Sequence, residues 1–404
     1  MPTATIELRG HIIDSMMLPR VLDAVMDLGG SFRFEEFHVG QAKDDPSQAR
    51  LALEHETDDG LAAIVNACQA QGALIVAGLP ARVTPAPADG VFPDDFYSTS
   101  NQPTRVLVDG VWIDVDDIEM DCAIVVGEGR ARCVAVTEVR RADGVVCGHD
   151  GIVVAPIERA RRREIFGFMT SQVSSEKPKH LVIRELAATM RDVRAGGGKI
   201  CVVGGPAIIH TGAGVHLSRL IAQGYVQVLF AGNALAAHDI ESQLFGTSLG
   251  IDLRNGLPIE AGHEHHIRAI NRIRAVGGIR EAVDAGILTG GVMHACIRAR
   301  VDCVLAGSVR DDGPIPDVIT DMVEAQRRMR AALRGVELCL MLSTMLHSIA
   351  TGNMLAAVVK TVCVDINPAV VTKLADRGSS QTLGLVTDVE SFLRELRECL
   401  SEAA

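Results

Sequence analysis

The chain has 404 residues, 48% of them apolar, which is long enough for two or three domains with substantial cores. Its formal net charge of −12 argues against a polyanion partner, because a nucleic-acid site needs concentrated positive charge to displace counterions. Met1 to Gly10 carries no basic segment leading into an apolar run, so no signal peptide is expected.

Thr3 to Ile13 alternates like a strand, and Leu18 to Leu28 reads as a helix closed by Gly29-Gly30. Phe32 to Val39 and Ala49 to Glu56 alternate again, Leu61 to Ala70 is helical, and Ala73 to Ala77 supplies a last strand. The order β-α-β-β-α-β is that of a ferredoxin-like α+β unit, assigned to residues 1–85. Pro80 to Asn101, rich in Pro, Asp and Ser, reads as a linker or surface excursion. Residues 86–156 then form a small β-rich subdomain. Its short strands are Arg105 to Val108, Cys122 to Val126, Arg132 to Val139, Val145-Val146 and Ile152 to Ala155, with hairpin-type turns at Asp109-Gly110 and Asp143-Gly144. The one basic run, Arg159 with Arg161 to Arg163 ahead of Glu164, reads as a solvated helix face rather than an anion site.

Residues 157–404 change rhythm. Ile200 to Val203, Val226 to Phe230, Cys303 to Leu305, Thr361 to Val364 and Leu383 to Val386 are continuous apolar runs, the pattern of strands covered on both faces. Helical patterns separate them at Val215 to Ala222, Ile267 to Ala275, Val318 to Leu333 and Ala369 to Ala375, and Val389 to Leu400 closes the chain. This alternation predicts a doubly wound, Rossmann-like parallel sheet, and the fold class is α/β. The most apolar window, Leu338 to Val359, is broken by Ser343, Thr344, His347, Ser348, Thr351, Gly352 and Asn353, so a membrane span is not expected. Ten cysteines without a C-x-x-C pair, mostly beside aliphatic residues, are expected as buried thiols of a reducing, cytoplasmic compartment.

Ligands of open parallel sheets bind beyond the carboxyl ends of the strands, so the residues that follow each strand carry the functional expectation. Gly204 and Gly205, with His210 to Gly214 ahead of a helix, read either as a phosphate-approaching loop or as a tight turn. Asn233 and Ala234 follow the next strand, and Asn233 suits an amide or ribose partner. His238-Asp239-Ile240-Glu241 reads either as acid-base machinery or as a helix start with first-turn acids. In Ser308 to Pro314, Arg310 offers a fork for a carboxylate, while Asp311 and Asp312 suit an amine or a ribose hydroxyl. Thr351-Gly352-Asn353 is a further loop after an apolar helix. Asp365 closes a buried strand, where an acidic residue pairs with a ribose diol and disfavours a 2′-phosphate, selecting NAD over NADP; the alternative is a helix cap. His263, His265 and His266 lack metal-site spacing, and no metal is expected. Lys360 is the lysine to consider for amine handling.

Taken together, R-G-H-I-I-D-S (Arg9 to Ser15), G-P-A-I-I-H-T-G (Gly205 to Gly212), A-G-N-A-L-A-A-H-D-I-E (Ala231 to Glu241), S-V-R-D-D-G-P, H-S-I-A-T-G-N-M-L (His347 to Leu355) and V-D-I-N-P-A-V-V-T-K-L-A-D-R-G (Val364 to Gly378) resemble one family. It is the archaeal-type ornithine cyclodeaminases, the conserved region of the lysine-oxoglutarate reductase/saccharopine dehydrogenase bifunctional enzyme, found also as the C-terminal part of arginine dihydrolase–ornithine cyclodeaminase proteins. The resemblance runs from Thr5 to the C-terminus. It departs where Ala356 replaces the family's proline after N-M-L, and where the guanidine-hydrolysing domain is missing, so arginine hydrolysis is not expected.

The resemblance implies NAD as cofactor and conversion of ornithine to proline and ammonia, with the hydride lent to NAD and returned. It implies cofactor contacts at Gly204, Gly205, Asn233, Ala234, Asp311, Thr351, Gly352, Asn353, Met354, Asp365 and Asp388. His238 with Asp239 is expected to do the acid-base work and Arg310 to hold the carboxylate. A homo-oligomer is expected by analogy. Two other readings stay open: a net opine- or saccharopine-type dehydrogenase releasing NADH, and a non-catalytic NAD-binding regulator.

Overall fold

The computed structural model describes residues 2–10, 12–13, 16–40, 45, 47–75, 80–155, 179–252, 257, 262–311, 313–376 and 382–401. The basic run at Arg159 to Arg163 lies outside them, as do Asp312, parts of the first and last motifs, and the side chain of His263. The chain divides into two compact units, Met1–Ala160 with Leu355–Val358 and Arg161–Met354 with Val359–Ala404.

The first unit holds two sheets. Strands β1 (Thr3–Gly10), β2 (Ser31–His38), β3 (Ser47–Glu54) and β4 (Leu74–Ile75) alternate with helices α1 (Met17–Asp27) and α2 (Asp58–Ala70). They form an antiparallel sheet in the order β2-β3-β1-β4, as a ferredoxin-like unit requires. Ile6, Leu8, Leu51 and Leu53 point into a core with Val21 and Val25 of α1 and Ile64 of α2. The second sheet is formed by β5 (Arg82–Pro85), β6 (Thr104–Val108), β7 (Val111–Asp116), β8 (Ala123–Gly127), β9 (Arg130–Val134), β10 (Gly144–Cys147) and β11 (Ile152–Val154), in the order β11-β6-β7-β9-β8-β10-β5.

Three details of this sheet differ from the sequence reading. Pro80 to Asn101 is no linker: β5 pairs with β10, Phe96 and Ser98 bridge to Cys147 and Ala123, and Thr99 and Asn101 are buried. Asp109-Gly110, both left-handed, do close the β6–β7 hairpin, but Asp143-Gly144 merely opens β10. The other left-handed hairpin turn is Glu128-Gly129, between β8 and β9, where glutamate takes the position that asparagine or aspartate favours.

The second unit begins with α3 (Lys179–Ala195) and continues through β12 (Lys199–Gly204), α4 (Ala207–His210), α5 (Gly214–Ala222), β13 (Val228–Gly232) and α6 (Asn233–Phe245). A short hairpin, β14 (Thr247–Ser248) and β15 (Ile251–Asp252), precedes α7 (His265–Val276), α8 (Ile279–Asp284) and α9 (Gly291–Ala299). Then come β16 (Asp302–Ala306), β17 (Val318–Ile319), α10 (Met322–Leu333), β18 (Val336–Leu342), α11 (Leu346–Met354), β19 (Lys360–Asp365), α12 (Pro368–Asp376), β20 (Thr382–Val386) and α13 (Val389–Ser401). The Val318 to Leu333 pattern is thus an edge strand followed by a helix that Asp321 caps. All seven main strands are parallel, in the order β17-β16-β13-β12-β18-β19-β20.

Winding starts at β12, runs outward to β17, then returns to β18 and continues the other way. Right-handed crossovers therefore place helices on both faces of the sheet. The strand ends part between β12 and β18, the crevice where such sheets bind ligands. Gly205 donates its amide to the Leu342 carbonyl across this point, and a Cβ there would overlap the Ser343 carbonyl, so only glycine lets the two chains meet.

Candidate active site

At the carboxyl end of this sheet lies a cavity of about 710 Å³, within the usual size of a small-ligand site. The ends of four strands contribute to it: Gly204 and Gly205 after β12, Gly232 and Asn233 after β13, Ala306 and Gly307 after β16, and Thr344 and His347 after β18. Arg310 and Asp311 also line it, and so do three histidines from different helices: His210, His238 and His266.

The chemistry concentrates on α6. This helix starts at the cavity, so the amides of its first turn, those of Asn233 and Ala234 among them, have no intrahelical acceptor. One turn further, Nδ1–H of His238 donates to Oε2 of Glu241 at 2.9 Å. The carboxylate can only accept, so Nε2 of the neutral ring is left with its lone pair.

Glu241 is fully buried yet surrounded by donors. Its Oε1 accepts from Thr247 Oγ1 (2.8 Å) and the Gly250 amide (3.1 Å), and its Oε2 also accepts from the Leu249 amide (3.3 Å). Burial alone would raise its pKa; the bonds from His238, Gly250 and Thr247 outweigh that and hold the carboxyl below its ordinary value. His210 packs edge-on against His238 with ring centroids 4.8 Å apart, and its Nδ1 lies 2.6 Å from Ser248 Oγ. Burial first, then the neighbouring His238, pushes its pKa down, so this ring is held neutral.

The structure gathers some of the expected residues and disperses others. Gly204, Gly205, Asn233, Ala234, His238, Arg310 and Asp311 meet at the cavity. Asn233 uses Oδ1 to accept the Ile315 amide, and Asp311 accepts the Ser308 amide. The Arg310 guanidinium is exposed and has no ion-pair partner among the described residues. Asp239 lies elsewhere. Its side chain is buried on the other side of α6, where its two oxygens accept the Val292 and Met293 amides at the start of α9 (2.8 Å each). Its pKa is pushed up to about 6 by burial, which the two amides offset only in part.

Thr351, Gly352, Asn353 and Met354 are not a loop but the last turn of α11; the residues of that helix at the cavity are Leu346, His347 and Ala350. Asp365 ends β19 and accepts the Asn367 amide, while Asp388 accepts the Ser391 amide at the start of α13. Neither is among the lining residues. Lys360 opens β19 at the opposite end of the sheet from the cavity. His265 and His266 join the site as a hydrogen-bond partner of Thr247 and a wall of the cavity, and no cluster of metal-ligand type occurs among the described residues.

The roles of four residues were missed by sequence reasoning: Glu241 as the partner of His238, His210 as its neighbour, and the Thr247-Ser248 pair. Only the first had a local signal, since positions i and i+3 share a helix face.

A parallel sheet with a cavity at its winding reversal, lined by a carboxylate-tied histidine, defines a nucleotide-type α/β enzyme domain. Comparison with known proteins narrows it. Residues 184–396 match the Rossmann-fold region of the arginine dihydrolase ArgZ-like C-terminal part, residues 103–183 its first region, and residues 3–102 the LOR/SDH bifunctional enzyme conserved region. The chain belongs to this ArgZ-like C-terminal, LOR/SDH family. It is 57% identical to an ornithine cyclodeaminase of Methanopyrus kandleri over 97% of this chain and 95% of that protein. The crystal structure of a conserved LOR/SDH protein from Methanococcus maripaludis S2 is 50% identical, with a TM-score of 0.77, over 80% of this chain and 99% of that one. The ternary complex of AgrE with ornithine and NAD+ is 42% identical, with a TM-score of 0.55, over all of this chain and 58% of that one.

Proposed function

We propose that the protein is an ornithine cyclodeaminase that converts L-ornithine to L-proline and ammonia with NAD as a recycled cofactor. The observation that carries the chemistry is the His238–Glu241 pair at the cavity, in a chain that matches archaeal ornithine cyclodeaminases nearly end to end.

The donor set fits NAD. The amides at the start of α6, which have no intrahelical acceptor, and the glycine backbone at Gly204-Gly205 suit a pyrophosphate; Asp365, outside the cavity lining at the end of the neighbouring strand β19, has the chemistry for a ribose diol and opposes a 2′-phosphate. When bound, NAD supplies a reversible hydride acceptor for the ornithine α-carbon, so that no net redox change remains. The protein supplies position and protons. One nitrogen of ornithine must lose a proton before it can attack, and the other must gain one before it leaves as ammonia. Nε2 of His238 takes the first proton and returns it for the second, while Glu241 holds the ring in one tautomer and stabilises the imidazolium between the two steps. Arg310 binds the substrate carboxylate.

Asp239 has no part in proton transfer here, because both its oxygens are engaged by α9. The described cysteines are all free thiols and mostly buried, which supports a reducing, cytoplasmic setting. Phe34 and Phe37, exposed on the edge strand β2, support assembly into a homo-oligomer.

The test is incubation of purified protein with ornithine and catalytic NAD, following proline, ammonia and NADH absorbance together. Equal proline and ammonia without NADH accumulation is the expected result. Stoichiometric NADH would instead identify a net dehydrogenase, and bound NAD with no product would identify a regulator.

A further inference from the structure

Glu241 and His210 lie on different helices, yet both are held by two consecutive residues. Thr247, fully buried, donates to Glu241, and Ser248, nearly so, contacts Nδ1 of His210. The strand that carries them is the first half of the β14–β15 hairpin. Its turn residues Leu249 and Gly250 both have left-handed backbones (φ 53° and 73°), the two-residue turn geometry usually reserved for Asn-Gly or Gly-Gly. Leucine is a poor residue for that conformation. What the conformation achieves is that the two turn amides converge on Glu241. On its outer side Thr247 Oγ1 accepts from Nδ1–H of His265, whose ring stacks on Phe245 of α6 (centroids 4.8 Å apart). The hairpin is thus tied to α4, α6 and α7 at once, and its hydrogen bonds reach two of the cavity's imidazoles, His210 directly and His238 through Glu241.

We infer that Thr247-Ser248 is a positioning pair that sets the tautomers of both histidines: Thr247, through Glu241, keeps His238 as a proton acceptor at Nε2, and Ser248, by donating to Nδ1, keeps His210 as a neutral donor at Nε2. This rests on the reading of His238 as the base in the proposed function. The arrangement has an electrostatic logic. Rings 4.8 Å apart cannot both be imidazolium cations cheaply, so His210 stays neutral while His238 alternates. A neutral Nε2–H is a hydrogen-bond donor that does not repel the ammonium groups of a diamino acid. The groups facing His238 are Glu241 from its own helix, His210 from α4 and His266 from α7.

The test uses Thr247→Val, Thr247→Ser and Ser248→Ala in the full chain, with kcat and KM for ornithine measured across pH and NAD binding measured separately. Thr247→Val removes one donor from Glu241, so the carboxylate holds the proton on His238 more strongly. We expect kcat to fall about 10- to 100-fold and the acid limb of the profile to move to higher pH. Thr247→Ser keeps the hydroxyl and restores both. Ser248→Ala frees His210 and raises KM about 5- to 10-fold, with kcat changed less. NAD affinity stays unchanged in all three.

Variants that lose only thermal stability, with pH profile and KM of the wild type, would overturn the inference while leaving the function intact. A wild type that binds NAD but makes no proline would overturn the function and this inference with it. Imidazole nitrogen resonances of the wild type give a reading independent of the variants: Nδ1–H on His238 and Nε2–H on His210 are expected, and Nδ1–H on His210 would overturn the assignment.

Discussion

Asp239 and Glu241 stand two residues apart on one helix, both buried, and their pKa values are pushed in opposite directions. Two residues turn an α-helix through about 200°, so the carboxylates face away from each other. Glu241 faces His238 and the β14–β15 hairpin and has an imidazole, a hydroxyl and two amides as donors, which keeps it ionised. Asp239 looks into the interior and has two amides alone, too few to offset the loss of water, and its pKa is pushed up to about 6. Burial alone therefore says little about what a carboxylate does; the number and kind of its donors decide. The comparison predicts a clean division. Substitutions on the face of α6 that carries His238 and Glu241 cost activity first, whereas those on the interior face cost stability first.

The sharpest way to break that division is at His238. His238→Asn keeps a polar side chain but cannot take the proton, and proline formation is expected to fall about 10³-fold. NAD affinity and thermal midpoint should stay near those of the wild type. A large loss of stability instead would place His238 among the structural residues. Next is Glu241→Gln, which keeps the volume but removes the charge that fixes the tautomer. We expect kcat to fall about 10²-fold, with less effect on KM. An unchanged kcat would mean that Glu241 only closes the hairpin.

Much of this architecture was legible in the sequence, for identifiable reasons. Buried parallel strands such as Val228–Gly232 and Lys360–Asp365 carry apolar runs that few other elements imitate. The ferredoxin-like order could be read because each of its elements shows its own period. Pro80 to Asn101 misled because its prolines and aspartates are also what a strand-and-turn segment on a sheet edge contains, and its pairing with β10 is non-local. The site was legible by loop and illegible by residue. Asp239, adjacent to His238, looked the natural partner, although helical geometry assigns that place to position i+3, which is Glu241. On α11 the reading fell on Thr351 to Met354, the turn that directly follows the residues at the cavity, because nothing in the sequence marks where that helix starts. The contact between His210 and Ser248 spans 38 residues and has no local signature.

On the interior face, Gly291 sharpens the comparison. Its backbone is left-handed (φ 90°), and a Cβ there would meet both Asp239 oxygens at 2.7 Å. Gly291→Ala should therefore lower unfolding free energy by about 2–3 kcal/mol in urea. The kcat of the folded fraction should remain within a few-fold of the wild type. A selective loss of kcat would show that the anchoring of α9 reaches the chemistry.

The smallest effect is the most specific, because it reads the state of Asp239 itself. A carboxyl whose folded pKa lies near 6, against an unfolded value of 3.8, favours the protonated form when folded. Its contribution to stability is therefore fully present below pH 3.8 and is lost as pH rises through 6. Glu241, held below its ordinary value, works in the opposite sense: its contribution is present above the unfolded carboxyl range and is lost as pH falls through its folded value. Asp239→Asn removes the first effect without touching the second. The stability of the wild type relative to Asp239→Asn should accordingly be greater at pH 5 than at pH 7, by about 1 kcal/mol. The two proteins would be compared by urea unfolding at both pH values, so that all other titrations cancel. A difference that grows toward pH 7 instead would mean that the two α9 amides keep Asp239 ionised, and the contrast between the two faces of α6 would lie in their partners alone.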